Sequence, residues 1–323
     1  MSVYTPIHES ELKTFLSQYS LGSLQDYIGI SAGIENTNYF VNTDQGRYVL
    51  TIFEHHTIDE LHYFMDLMAL LSKSGVPTAK PIQQNSGQIL SLLKGKPASL
   101  VTCLQGSTLE NQQPSLAQCA EIGSALATMH RASQNFPHSR PPDRGVTWRA
   151  EMGEQLLQHP NLNAEDQKTL KDELSYQATI DFSALPSGVI HADLFRDNAM
   201  FVDDKLSGMI DFYYACNDNF IFDMAVVVND WCCCPERGID QQKLNGFLKA
   251  YTAVRPLETI EKHYWSATLR AAALRFWLSR LQDKLYPREG ELTQLKDPDE
   301  FKNKLTMLIA NKALSDISEL NYG

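Results

Sequence analysis

The chain has 323 residues, with 28 Lys and Arg against 39 Asp and Glu, a formal charge of −11; 43% of residues are apolar and 21% charged. This is the composition of a globular protein, and it excludes disorder, a collagen repeat or a coiled coil as a description of the whole. The acidic balance disfavours a nucleic-acid binder that works through a net basic surface, and any anionic ligand must bind against the chain's own net field. At ~150 residues per domain the length fits two lobes or one large domain.

Residues 1–12 are polar and acidic, without the basic and apolar regions of a leader. No apolar run approaches the ~18 residues of a membrane span. The first region reads as β-rich. Residues 38–41 and 48–53 are strand-like around a turn at 44–46. Residues 58–73 then place Leu61, Phe64, Met65, Met68 and Leu71 at helical spacing, stopped by Gly75 and Pro77. Residues 89–93 and 98–104 are two more strand-like runs around Lys94 and Gly95. Ser115 and Gln118 form a capping-box pattern ahead of a helical stripe at Leu116, Cys119, Ile122, Leu126 and Met129. Further helices are expected over 148–157, 164–176, 220–231, 241–254, 257–285 and 297–314, with loops at 137–142 and 287–295. The six cysteines form no CxxC pair, and three are adjacent, Cys232, Cys233 and Cys234. They suit packing thiols in a reducing, cytoplasmic setting better than zinc or a disulfide framework.

Residues 189–211 break the helical pattern. His191-Ala192-Asp193-Leu194-Phe195-Arg196-Asp197-Asn198 lies between two short strand-like runs, and Asp211, within Ile210-Asp211-Phe212, follows thirteen residues after Asn198. An Asp within reach of a hydroxyl can orient it and accept its proton. An Asn carbonyl and an Asp carboxylate are the oxygen ligands a hard cation such as Mg²⁺ takes, and the metal offsets charge on a transferring phosphoryl group.

This segment resembles the catalytic loop of the protein-kinase-like fold, H-x-D-L-x-x-x-N, and Asp211-Phe212 resembles the start of its D-F-G element, with Tyr213 in place of Gly. That replacement is similar to the aminoglycoside phosphotransferase and choline kinase branch. Within that branch the chain most closely resembles the homoserine kinases, through residues 33–39, 48–54, 190–198, 210–213, 229–232, 273–276 and 296–301. The resemblance implies an α+β, bilobal protein-kinase-like fold, with residues 1–102 a β-rich ATP-binding lobe and residues 103–323 a mostly helical lobe carrying the catalytic loop and the substrate site. It implies ATP and Mg²⁺ as cofactors and phosphorylation of the homoserine hydroxyl, feeding threonine synthesis. Asp193 is then the catalytic Asp, Asn198 and Asp211 the metal ligands, and His191 a loop-shaping residue. Gly33, Asn36 and Asn38 belong to the turn over the phosphates, Thr102 and Leu104 to the hinge beside adenine, and Asp223 braces the catalytic loop.

Thr51 stands where related phosphotransferases place a Lys or Arg on the third strand, and Arg47 is the first basic residue before it. The partner Glu on the following helix is not evident, since Glu60 comes early. For the homoserine carboxylate, Arg275 and Arg196 are the candidate cations; for its ammonium, Asp230 and Trp231. Arg270, Arg275 and Arg280 share one expected helix, and at 100° per residue they cannot all face one pocket. The rival readings are a kinase of choline, ethanolamine or an amino sugar, a catalytically silent nucleotide-binding protein, and a metal-dependent hydrolase, which would leave Asn198 unexplained.

Overall fold

The computed structural model describes residues 4–30, 36–110, 112–234, 238–287, 296–310 and 317. The chain divides into two compact units, one of residues 1–106 with 207–210, the other of residues 107–206 with 211–323.

The first unit contains α1 (Glu9–Leu16), β1 (Leu24–Ile30), β2 (Thr37–Thr43), β3 (Gly46–Ile52), α2 (Ile58–Lys73), β4 (Ser91–Leu93) and β5 (Lys96–Thr102). The strands form one antiparallel sheet in the order β1-β2-β3-β5-β4. Side chains alternate between the two faces of a strand. On one face Tyr39, Val41, Leu50, Ile52, Ala98 and Leu100 bury against Leu12, Phe15 and Leu16 of α1. The α2 helix starts where Thr57 accepts from the Glu60 N–H and Glu60 accepts from the Thr57 N–H at 2.8 Å, so the Glu60 carboxylate is used as a cap.

The expected strands at 89–93 and 98–104 are β4 and β5. The turn between them is tight, because Lys94 and Gly95 both take left-handed backbone, φ 54° and 77°. Residues 207–210 join this unit through the Met209 N–H, which donates to the Pro77 carbonyl at 2.9 Å. The Thr78 hydroxyl donates to the Met209 carbonyl at 3.1 Å.

The second unit contains α3 (Leu116–Ala132), α4 (Val146–Leu157), α5 (Ala164–Gln177), β6 (Ser187–Ile190), β7 (Ala199–Val202), the start of β8 (Lys205–Met209), β9 (Cys216–Asn219), α6 (Phe220–Trp231), β10 (Cys233–Cys234), β11 (Gly238–Ile239), α7 (Gln241–Val254), α8 (Thr259–Leu285) and α9 (Pro298–Ala310). All twelve residues of α6 are buried, as expected for a helix apolar nearly all round; its polar members therefore need partners. The α3 helix packs on α7 at Gly123, where a Cβ would lie 2.5 Å from the Phe247 carbonyl oxygen. The three arginines of α8 each meet a different carboxylate. Arg270 pairs with Glu173, Arg275 with Asp193 and Arg280 with Glu300. No described helix is long and apolar enough to cross a membrane.

Candidate active site

The site in the second unit is built on an antiparallel strand pair and a buried helix. β6 and β9 pair antiparallel with Ile190 opposite Cys216, and residues 191–198 leave the end of β6. Asp223, fully buried on α6, anchors their start. Its Oδ2 accepts the His191 N–H at 2.7 Å, and its Oδ1 accepts the Ala192 N–H at 2.9 Å. Ala192 sits in left-handed backbone at φ 65°, a conformation that costs about 1 kcal/mol for a side-chain-bearing residue.

Asp223 is held in turn by His130 Nε2 at 3.0 Å, whose Nδ1 lies 2.7 Å from the Tyr251 hydroxyl. A carboxylate only accepts, so Nε2 carries the proton and Nδ1 accepts from Tyr251. Burial pushes the Asp223 carboxyl up, but the His130 hydrogen bond and the charges and N–H groups around it outweigh burial, leaving it below the ordinary range. Burial holds the His130 imidazole below its ordinary value.

The loop then closes on itself. Asn198 Nδ2 donates to the Asp193 carbonyl at 2.8 Å and to its Oδ2 at 3.3 Å. With Nδ2 so engaged, the Asn198 oxygen is left as the group free to bind a cation. Asp211 is exposed, in left-handed backbone at φ 62°, and leads a short 3₁₀ turn over Phe212–Tyr214. The Phe212 ring packs against the His191 ring at 4.7 Å. The amide oxygen and the carboxylate are hard oxygen donors, the chemistry Mg²⁺ takes.

Arg275 lies 3.6 Å from Asp193 Oδ1. Its guanidinium stacks on Phe276 at 3.7 Å and faces Tyr214 at 5.6 Å. Burial pulls the Arg275 guanidinium down to about 10, opposed by Asp193. Burial likewise raises the Asp193 carboxyl above its ordinary value, against the pull of Arg275. Arg144, which the sequence did not single out, completes this cluster. It donates to the Ser279 hydroxyl and lies over the rings of Trp148 at 5.0 Å and Tyr214 at 5.9 Å. Its only sequence signal is that it is one of two arginines, with Arg140, in a Pro-rich stretch.

Arg196, Asp230 and Trp231 have a different placement from the substrate-facing one expected. Arg196 donates its backbone N–H and Nε to Asp230 Oδ2 at 2.8 and 3.1 Å and Nη1 to the Gln112 carbonyl at 3.0 Å. Trp231 is fully buried and donates its indole N–H to the Leu194 carbonyl at 3.0 Å. All three tie the loop to α6.

On the sheet of the first unit, the Thr51 hydroxyl donates to Asn38 Oδ1 at 2.8 Å, and Asn36 Oδ1 accepts the Glu54 N–H at 3.3 Å. Thr102 accepts the Lys80 N–H at 2.9 Å through its hydroxyl. The Leu104 side chain fills the space where Gly208 has no Cβ. Gly33 lies outside the described residues.

A family model described as the phosphotransferase enzyme family matches residues 26–257. The chain is 46% identical to a homoserine kinase of Methylobacillus flagellatus, covering 96% of both chains. It is 43% identical to a homoserine kinase of Neisseria meningitidis serogroup B, covering 95% of this chain and all of that one. Among solved structures, an amicoumacin kinase in complex with AMP-PNP, Ca²⁺ and Ami superimposes with a TM-score of 0.69 over 98% of this chain and 96% of that one, at 14% identity.

Proposed function

The chain belongs to the phosphotransferase enzyme family and, within it, to the group of the homoserine kinases; from that membership we propose that it transfers the γ-phosphoryl group of ATP to the side-chain hydroxyl of L-homoserine, giving O-phospho-L-homoserine for threonine synthesis. The observation that carries the reading is the full-length likeness to homoserine kinases, 46% identity over 96% of both chains. The geometry around Asp193 fits it.

Asp193 orients the substrate hydroxyl and accepts its proton as the oxygen bonds to phosphorus and the bond to ADP breaks. Asn198 holds the Asp193 carboxylate in place through Nδ2. The Asn198 oxygen and the Asp211 carboxylate would hold Mg²⁺, which when bound offsets charge on the transferring group. Arg275 takes the substrate carboxylate. Homoserine places hydroxyl and carboxylate about 5 Å apart along its four-carbon chain, which suits a guanidinium lying 3.6 Å from the catalytic carboxylate. Arg275 is preferred to Arg196 because the Arg196 side chain is hydrogen-bonded to Asp230 and Gln112, whereas Arg275 meets Asp193 at 3.6 Å, beyond hydrogen-bond distance. Six free thiols and ATP as co-substrate support a cytoplasmic setting.

An ADP-coupled assay across homoserine, choline, ethanolamine and an amino sugar tests the substrate. Turnover is expected with homoserine; turnover of another alcohol with none for homoserine would overturn the reading. Asp193→Ala is expected to keep nucleotide binding and lose turnover.

A further inference from the structure

A cavity of about 890 Å³ opens between α4 and α5, with Leu274 of α8 in its wall. That volume is in the range of small-molecule sites. Its lining includes none of Asp193, Arg275, Tyr214, Arg144 or Trp148. Val146, Arg149, Ala150 and Glu154 line it along one side of α4, and Trp148, which stacks with Arg144 beside Tyr214, projects ~200° around the helix from Ala150. On α8, Leu274 is ~100° from Arg275.

Two groups in this wall lack partners. Arg149 is 5% exposed, yet its side chain makes no hydrogen bond or ion pair among the described residues. It stacks on the Phe222 ring at 5.1 Å, and its Nη1 is buried without an acceptor. A guanidinium carries five N–H donors, and a buried cation without a counter-ion is among the costliest arrangements in a protein. Burial accordingly pulls this guanidinium down to about 10, with Asp218 the charge that opposes it. The second group is Gln177. Its Nε2 is spent on Glu173 at 2.8 Å and the Ala267 carbonyl at 3.2 Å, and its Oε1 is buried with no donor. Lys168 and Lys171 also line the cavity, both exposed, and add positive charge at its mouth.

We propose that this cavity is a binding site for a small carboxylate metabolite with an N–H or O–H donor beside the carboxylate and an apolar body, an amino acid or a 2-hydroxy acid. Its carboxylate takes the fork of Arg149, its donor reaches Gln177 Oε1, and its apolar part lies on the wall that includes Leu274. The site is separate from the phosphotransfer centre and does not depend on which alcohol that centre phosphorylates.

Calorimetric titration of the full chain, without L-homoserine, whose own carboxylate and amine would compete for the cavity, tests the site with three probes. These are L-leucine, 2-hydroxy-4-methylpentanoate, and isoamylamine, which lacks the carboxylate. At least one of the two acids is expected to bind with Kd of about 1 mM or tighter, and the amine is not. The acid that binds identifies the donor as amine or hydroxyl. Arg149→Met is expected to weaken that binding by ~10-fold or more. Val146→Glu places a carboxylate three residues before Arg149 on the same face, at an exposed position. It is expected to abolish binding and raise Tm by giving the guanidinium a partner, and it decides the question if Arg149→Met does not fold. Absence of binding by both acids at about 50 mM, binding of the amine as tight as the acids, or acid binding unchanged by Val146→Glu would overturn the proposal.

Discussion

Replacing Asp223 by Asn keeps the shape of the side chain and changes one acceptor oxygen into a donor. In the wild type the two carboxylate oxygens accept three hydrogen bonds, from the His191 and Ala192 N–H groups and from His130. Whichever way the amide is turned, its NH₂ meets at least one buried N–H donor. Leaving one such donor without an acceptor costs about 1–3 kcal/mol, and the remaining bonds lose their charge assistance, about 1 kcal/mol more. The expected loss is about 3 kcal/mol, against a total stability of about 5–15 kcal/mol, so the variant still folds. The functional effect is larger in proportion. Ala192 is held at φ 65° by the bond its N–H makes, and once that bond is lost the backbone relaxes and carries the adjacent Asp193 with it. A shift of about 1 Å at a catalytic group costs ~10²-fold in rate. Urea unfolding followed by tryptophan fluorescence reads the first quantity, and kcat in an ADP-coupled assay reads the second. A stability loss below about 1 kcal/mol together with wild-type kcat would refute the bracing role.

Arg275→Met is expected to raise KM for homoserine by ~30-fold or more with little change in KM for ATP, since it removes a buried charge that faces the substrate. It also removes the cation that opposes the burial-driven rise of Asp193, so the acidic limb of the rate profile moves to higher pH; an unchanged KM and profile would discard the assignment. His130 is held neutral by burial, its folded pKa below the unfolded value of about 6.5. The unfolded chain therefore binds a proton the folded chain does not, and stability is full above about pH 6.5 and lost as pH falls below it. Urea midpoints measured from pH 7.5 to 5.5 are expected to fall, less steeply in His130→Gln, and equal slopes would remove His130 as the cause. Nucleotide affinity is expected to drop by ~10-fold or more without Mg²⁺; equal affinity with and without the metal would contradict the roles given to Asn198 and Asp211.

Elements fixed by local signals were readable from the sequence. α2 falls where its apolar periodicity places it, α6 and α7 span the residues expected to be helical, and the Ser115 and Gln118 capping box marks the start of α3, because caps and apolar stripes act within a few residues. α1 and β1 were not singled out. β1 has no fully buried residue, so it carries no hydropathy alternation and is a strand because β2 offers it hydrogen bonds. The loop of residues 191–198 stands out in the sequence as a motif, but the side chains that hold it do not. His130, Tyr251 and Arg144 lie far from it in sequence and reach the site through the packing of α3, α7 and α4. Asp230 and Trp231 looked like open functional groups because a sequence shows a polar side chain on a helix but not the loop that takes its hydrogen bonds.

The absent third-strand lysine has a geometric answer in the first unit. That unit does contain a lysine–glutamate pair, Lys96 with Glu54, which also engages Thr5 and Thr37. Lys96 is opposite Leu93, and Thr37 is opposite Ile52, so Lys96 and Thr37 share the sheet face that buries Leu93 and Ile52 against α1. Thr51 points to the other face, flanked by Asn38 on β2 and Ser99 on β5. Arg47 is the basic residue of β3 on that face; it stacks on Phe40 at 4.1 Å and lies four residues, ~13 Å, along the strand from Thr51. The Lys96–Glu54 pair therefore belongs to the packing of α1 and not to phosphate binding. Opposite Thr51 the neighbouring strands present the Asn38 amide and the Ser99 hydroxyl. In the proposed reaction the phosphates of ATP would be neutralised by Mg²⁺, which Asn198 and Asp211 would hold, together with the cations that act on Asp193, Arg275 and Lys296, in a chain whose net charge of −11 gives it no general attraction for anions.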